Sequence, residues 1–228
     1  MCGIVRFAKS SIGAKVLMAL TGVLLVGFVL AHLAGNLQIF LGPDVFNGYA
    51  AMLKGMPGLL WGMRIVLLAA VLLHIASGVR LQRLNMEARP QRYAVKATVQ
   101  ASVSSRTMVM SGLLLLAFIV YHLLHFTLGI TDPEHFHLTD ALGRHDAYAM
   151  FVLGFQQPLV AGSYMVAMLL LGLHLNHGVS SLFQSLGLNH PRYNGVMRKL
   201  GPTLALIVVV GNSVMPLACL LGLVGLPE

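Results

Sequence analysis

The chain has 228 residues, of which 57% are hydrophobic and only 10% charged, with 15 Lys and Arg against 7 Asp and Glu and a formal net charge of +8. With a mean hydropathy of +0.81, this balance excludes a water-soluble globular domain and describes an integral membrane protein. The excess of positive charge is accompanied by no nucleic-acid-binding motif, so a nucleic-acid partner is excluded too.

An α-helix needs about 20 apolar residues to cross the hydrocarbon. Five runs meet that need, at about 16–38, 58–80, 107–130, 157–183 and 201–225. The expected fold is an all-α membrane protein with five transmembrane helices, forming one integral membrane domain over residues 1–228. The first run follows Arg6, Lys9 and Lys15. It is too long for the apolar part of a secretory signal, and "LAHLAGN" offers no small-x-small cleavage site, so it is read as a span. The stretch "PDVFNGYAAMLKGMPG" after it predicts a short interfacial helix ending in Gly and Pro. Trp61 then anchors the start of the second span at an interface. Residues 84–105 form a polar loop, and residues 131–150 an acidic, His-bearing one with room for a short surface helix. The last span contains Pro216. Cys2 and Cys219 fall on opposite sides of the bilayer, so no disulfide joins them and both read as structural filler.

Twelve of the 15 basic residues lie before the first span, between the second and third, or between the fourth and fifth. The positive-inside rule therefore puts the N-terminus in the cytoplasm and the C-terminus outside. The basic inner surface determines topology and attracts anionic membrane lipid.

Ten histidines remain to be explained, and at least one falls in each of the first four spans. An ionisable group in lipid is costly and marks a functional hypothesis. His32 is 17 residues past Lys15 and His122 is 16 past Arg106, so both lie in the outer half at matching depth. The second and fourth spans run the other way, and His74 and His174 both fall in the inner half. An internal repeat chooses among neighbours. "MALTGVLLVGFVLAH" (18–32) and "MVMSGLLLLAFIVYH" (108–122) share Met, a small hydroxyl residue, Gly and His at the same offsets, which favours His122 over His125. "HIASG" and "HLNHG" share a Gly four residues after the His, which favours His174 over His177. Small residues let helices approach closely and clear room for a flat macrocycle.

A lone intramembrane imidazole is as readily a hydrogen-bonded packing residue as a ligand. Four at paired depths with repeated surroundings favour the ligand reading: two bis-His haems, His32 with His122 on the outer iron and His74 with His174 on the inner. The first four spans would then form a dihaem bundle. His125 and His177 stay open between orienting a ligand, lining a quinone pocket and bonding a backbone carbonyl.

"VLAHLAGN", "VLLHIASGVRL", "FIVYHLLHF" and "LGLHLNHGVSSLF", with "FNGYAAMLKGMPG" between the first two, resemble the cytochrome b membrane-anchor subunit of succinate dehydrogenases and fumarate reductases of the b558 family. The likeness runs from about Ser10 to Leu220. It implies the same ligand pairs, two haem b groups, and two partner subunits on the cytoplasmic face: a flavoprotein with covalent FAD and an iron–sulfur protein. The implied role is electron transfer between succinate oxidation and a membrane quinone, usually menaquinone in this family, within respiratory complex II of a bacterial cytoplasmic membrane. Succinate chemistry belongs to the partners. Some relatives carry an acidic residue two positions before the fourth-span ligand, where this chain has Gly172, so a proton route through that carboxylate is not expected here. Lys15, Arg64 and Arg106 are candidate partners of haem propionates by depth, and each equally suits an interface anchor. The quinone site is left open between the outer haem and the inner haem near Lys15. Two rivals stand: a dihaem cytochrome b anchor of a hydrogenase or formate dehydrogenase, and a haem-free transporter using histidines as a proton relay.

Overall fold

The computed structural model describes residues 7, 10–88, 101–188 and 190–227. In chain order the helices are α1 (Ser11–Asn36), α2 (Pro43–Lys54), α3 (Pro57–Glu87), α4 (Val103–Arg106), α5 (Met108–His122), α6 (Pro133–Phe136), α7 (Ala147–Gln156), α8 (Pro158–Ser185) and α9 (Asn194–Leu220). A 3-10 turn, Leu37–Leu41, continues α1, and a π-helical turn, Leu123–Thr127, continues α5. Five of these, α1, α3, α5, α8 and α9, are long and apolar enough to cross a membrane. The five expected spans are therefore present, and no β-strand occurs among the described residues.

The helix ends follow local chemistry rather than hydropathy. Ser10 starts α1 earlier than the apolar run, its Oγ accepting a hydrogen bond from the Gly13 amide at 2.9 Å. α3 runs on through polar residues to Glu87, because charged side chains do not interrupt a helix once it leaves lipid. The expected loop at 84–105 thus begins later, and Arg89, Arg92 and Lys96 lie outside the described residues, as do Cys2, Arg6 and Lys9. The predicted interfacial helix is α2, which opens on Pro43 after Gly42 at φ +93°.

α8 and α9 form the closest pair. A Cβ on Gly201 would fall 2.6 Å from the Asn176 backbone oxygen, so only glycine allows that approach. α1 lies along α3, and α5 along α8. α3 is peripheral, burying only Ala70, Ser77 and Leu81, and its Leu, Ile and Val residues form a broad apolar outer face.

The bundle has a basic end, carrying Lys15, Arg83 and Arg106, and a capped end closed by α2, α6 and α7. The loop at 131–150 holds the expected short surface helix, α6, none of whose residues is buried. The helix that starts at the loop's end, α7, is not on the surface: Ala147, Tyr148, Ala149, Met150, Phe151, Val152, Gly154 and Phe155 are all buried. "AYAMFVLGFQ" has no polar face, and ten residues reach only about 15 Å, half the hydrocarbon thickness. Such a helix can only be covered by protein. It packs with Leu33, Ile39, Phe46, Tyr164, Met215 and Cys219 in the main core.

Polar clamps hold the cap. Asn47 of α2 is 1% exposed. Its Nδ2 donates to Asp146 at 2.9 Å and to Asp140 at 3.3 Å, and its Oδ1 accepts from the Tyr148 amide at 2.9 Å. Arg144 Nε donates to Asp140 at 2.7 Å. Desolvation works to raise the Asp140 carboxyl, but hydrogen bonds from Arg144 and Leu142 outweigh it and hold the group below the usual carboxylate range. N47D removes both donors and adds a third carboxylate to the pair. The expected loss is roughly 3 kcal/mol, as for two hydrogen bonds to charged groups, read as a lower unfolding midpoint of the purified protein. N47D as stable as wild type would contradict the clamp.

Candidate functional site

α1 and α3 make one packed pair and α5 and α8 another. Neither α1 with α5 nor α3 with α8 is a closely packed couple, yet imidazoles meet across both gaps. The His32 and His122 rings are centred 5.8 Å apart, and the His74 and His174 rings 6.4 Å apart. The structure thus brings together the two pairs expected from depth and repeat.

The spacing suits a shared metal ion. With imidazole–metal bonds of about 2.0 Å, two rings on opposite sides of one ion have centres roughly 6 Å apart. Among the described residues no cluster of three or more His, Cys, Asp or Glu converges on a metal position. An ion gripped by either couple would take its remaining ligands from groups other than these side chains.

The hydroxyl of the repeat has a role that the sequence alone did not disclose. Thr21 Oγ1 donates to the Leu17 carbonyl at 2.8 Å and lies 3.2 Å from His74 Nδ1. Ser111 Oγ donates to the Met108 carbonyl at 3.1 Å and lies 3.1 Å from His174 Nδ1. With its proton on a carbonyl, each hydroxyl is free to accept from Nδ1–H, an arrangement that would leave Nε2 with a free lone pair. That tautomer is the one a metal ligand requires, and an outer hydrogen bond of this kind favours it. The adjacent glycines admit these rings: a Cβ on Gly22 would lie 3.6 Å from His74 Cε1, and one on Gly112 3.6 Å from His174 Cε1. Each hydroxyl–glycine step of the repeat seats the histidine of a neighbouring helix.

Near the capped end the surroundings are aromatic. Phe28 stacks on His32 at 5.4 Å and Phe118 on His122 at 6.0 Å, a further correspondence within the repeat. Tyr164 Oη sits 3.4 Å from His122 Nδ1 and 3.0 Å from His125 Nδ1. His125 is 3% exposed, is carried on the π-helical turn, and is stacked on Tyr121. Tyr164 could not be singled out from one sequence, because a Tyr in a span is unremarkable until its partner is known. An apolar groove of about 520 Å³ between α1 and α3 is lined by Leu24, Gly27, Phe28, Gly58, Gly62 and Val66, beside the turn that carries His32.

Lys15 and Arg106 are exposed at the basic end. Arg64 lies over the Trp61 ring, 5.0 Å from its centre, as an interface anchor would. Gly172 faces α9, where a Cβ would meet Val209 Cγ2 at 2.5 Å. A carboxylate at that position would have to displace the Val209 side chain. His177 is half-buried one turn from His174, and His190 is exposed beside Tyr193. No protein family, curated protein or solved structure matches this chain.

Proposed function

We propose that the chain is the dihaem cytochrome b membrane anchor of a succinate:quinone oxidoreductase, passing electrons between an iron–sulfur subunit and a membrane quinone, menaquinone by resemblance. The observation that supports this most is the pair of histidine couples at the separation of axial ligands, each made of the residues the resemblance implies. His74 and His174 would hold the haem nearer the basic end, and His32 and His122 the one nearer the capped end. Bound haem supplies one-electron transfer. The protein supplies two neutral imidazoles per iron, their fixed tautomers and an apolar wall that keeps water away.

The remaining parts fit one assembly. The basic end faces the cytoplasm of a bacterium and receives the flavoprotein and iron–sulfur subunits, while the glycine-lined groove between α1 and α3 suits the apolar body of a quinone. A dihaem anchor of a hydrogenase or formate dehydrogenase shares the couples but not the source of electrons.

The test is direct. Protein expressed with ample haem should show a Soret band, and pyridine haemochrome quantification should return two haems b per chain. Reduction by succinate in the co-purified complex separates the succinate reading from the hydrogenase type. A colourless protein overturns the proposal and favours the proton-relay transporter.

A further inference from the structure

A line of polar groups leads from His122 to the surface at the capped end. Tyr164 Oη lies between His122 Nδ1 and His125 Nδ1. His125 Nε2 is 3.8 Å from Asp132 Oδ2, and His135 Nδ1 is 2.9 Å from the same oxygen. Exposure rises along it, from 3% at His125 to 13% at Asp132 and 21% at His135.

In the polarity that both leaves His122 able to coordinate through Nε2 and connects it to Asp132, His122 donates its Nδ1–H to Tyr164 Oη, Tyr164 donates its hydroxyl proton to His125 Nδ1, and His125 directs its Nε2–H at the Asp132 carboxylate. Two backbone features serve this arrangement. The helix widens to a π turn at Leu123–Thr127, with the Leu128 amide bonded to the Leu123 carbonyl at 2.9 Å, a distortion that recurs at functional sites. On α7, a Cβ at Gly154 would press to 3.3 Å from His125 Nε2, so glycine keeps that nitrogen's surroundings open.

We propose that the Asp132 carboxylate, held beside His135 at the capped surface, acts through His125 and Tyr164 on His122 and sets the reduction potential of the site His122 shares with His32. The inference rests on the dihaem reading. A carboxylate at the end of the line pulls the protons toward itself, makes His122 the stronger donor and favours the oxidised iron. The groups around His125 that bear on this are Tyr121 and His122 on its own helix, Tyr164 on α8, and Asp132 and His135 beyond it; α7 offers Phe151 and Gly154. His74 and His174 have hydroxyls in place of such a line and serve as the internal reference. Asp132, His125 and Tyr164 are positioning residues in this scheme.

The experiment is spectroelectrochemical titration of the haem-loaded complex at neutral pH. D132N should raise the midpoint of the His32–His122 site by about a tenfold change in the one-electron equilibrium, 59 mV, and leave that of the His74–His174 site in place. H125Q, which breaks the line one step further in, should raise the first midpoint likewise and decides the matter if D132N does not assemble. A first midpoint unchanged by the substitution, or equal shifts at both sites, overturns the proposal while the dihaem reading stands. Protein without haem is the failure of that earlier reading instead.

Discussion

On the dihaem proposal, His74→Ala and His174→Ala should each yield a protein with one haem b in place of two, and His32→Ala and His122→Ala should do the same for the other site. Each couple would supply only two protein bonds to an ion, and among the described residues no cluster of three or more His, Cys, Asp or Glu stands ready to replace a lost one. Changing a residue that merely supports a ligand lowers metal affinity by about 10–100-fold, and deleting the ligand should exceed that. Pyridine haemochrome content per chain measures the outcome, and the two remaining haems should differ in potential, because one site is held by hydroxyls and the other by the Tyr164 line. The informative control is His125→Ala. Its imidazole is engaged at Nδ1 by Tyr164 and faces Asp132 at Nε2, so neither nitrogen is turned toward His32. Haem content should fall less than in His122→Ala. The reverse order would exchange the two assignments.

The spans and histidine couples were legible because both rest on one-dimensional signals. Apolar length marks a span whatever its neighbours, and a fixed rise per residue converts charge-to-histidine spacing into depth. The repeat added the choice of His122 over His125, and the structure seats His125 elsewhere, between Tyr164 and Asp132. What could not be read was anything that needs a partner across the bundle. Only the first four residues of α7 fell in the acidic loop read at 131–150 and the rest had no assignment, yet the helix's lack of a polar face was itself the evidence for burial. Thr21 and Ser111 stood in the repeat as small hydroxyl residues, and only the crossing of α1 with α3 and of α5 with α8 reveals that each faces an imidazole. The glycines after His74 and His174 were read as clearance for a macrocycle. A Cβ on Gly178 meets nothing within 4 Å and one on Gly78 meets only Met18 Sδ at 3.9 Å, which agrees with open space there, whereas the glycines that touch a histidine are Gly22 and Gly112.

Those two glycines carry the other large effect. Gly112→Leu should abolish haem binding at the His74–His174 site and spare the other, and Gly22→Leu should do the same from the opposite wall. A Cβ at either position sits 3.6 Å from an imidazole carbon, an ordinary contact that Ala can make without moving the ring. A leucine extends two bonds further into the space the imidazole fills, and a coordination site tolerates displacement of only about 0.5 Å. The Ala variants therefore separate crowding from folding. Gly→Ala inside a helix contributes about 1 kcal/mol of stability, so Gly22→Ala and Gly112→Ala should unfold at a higher temperature than wild type while keeping both haems. Graded loss at one site only, absent with Ala and complete with Leu, is the signature of a ring held against a bare backbone. Equal occupancy in the Leu variants would mean that these imidazoles do not depend on the seats the repeat provides, and the ligand assignment at that end of the bundle would fall with it.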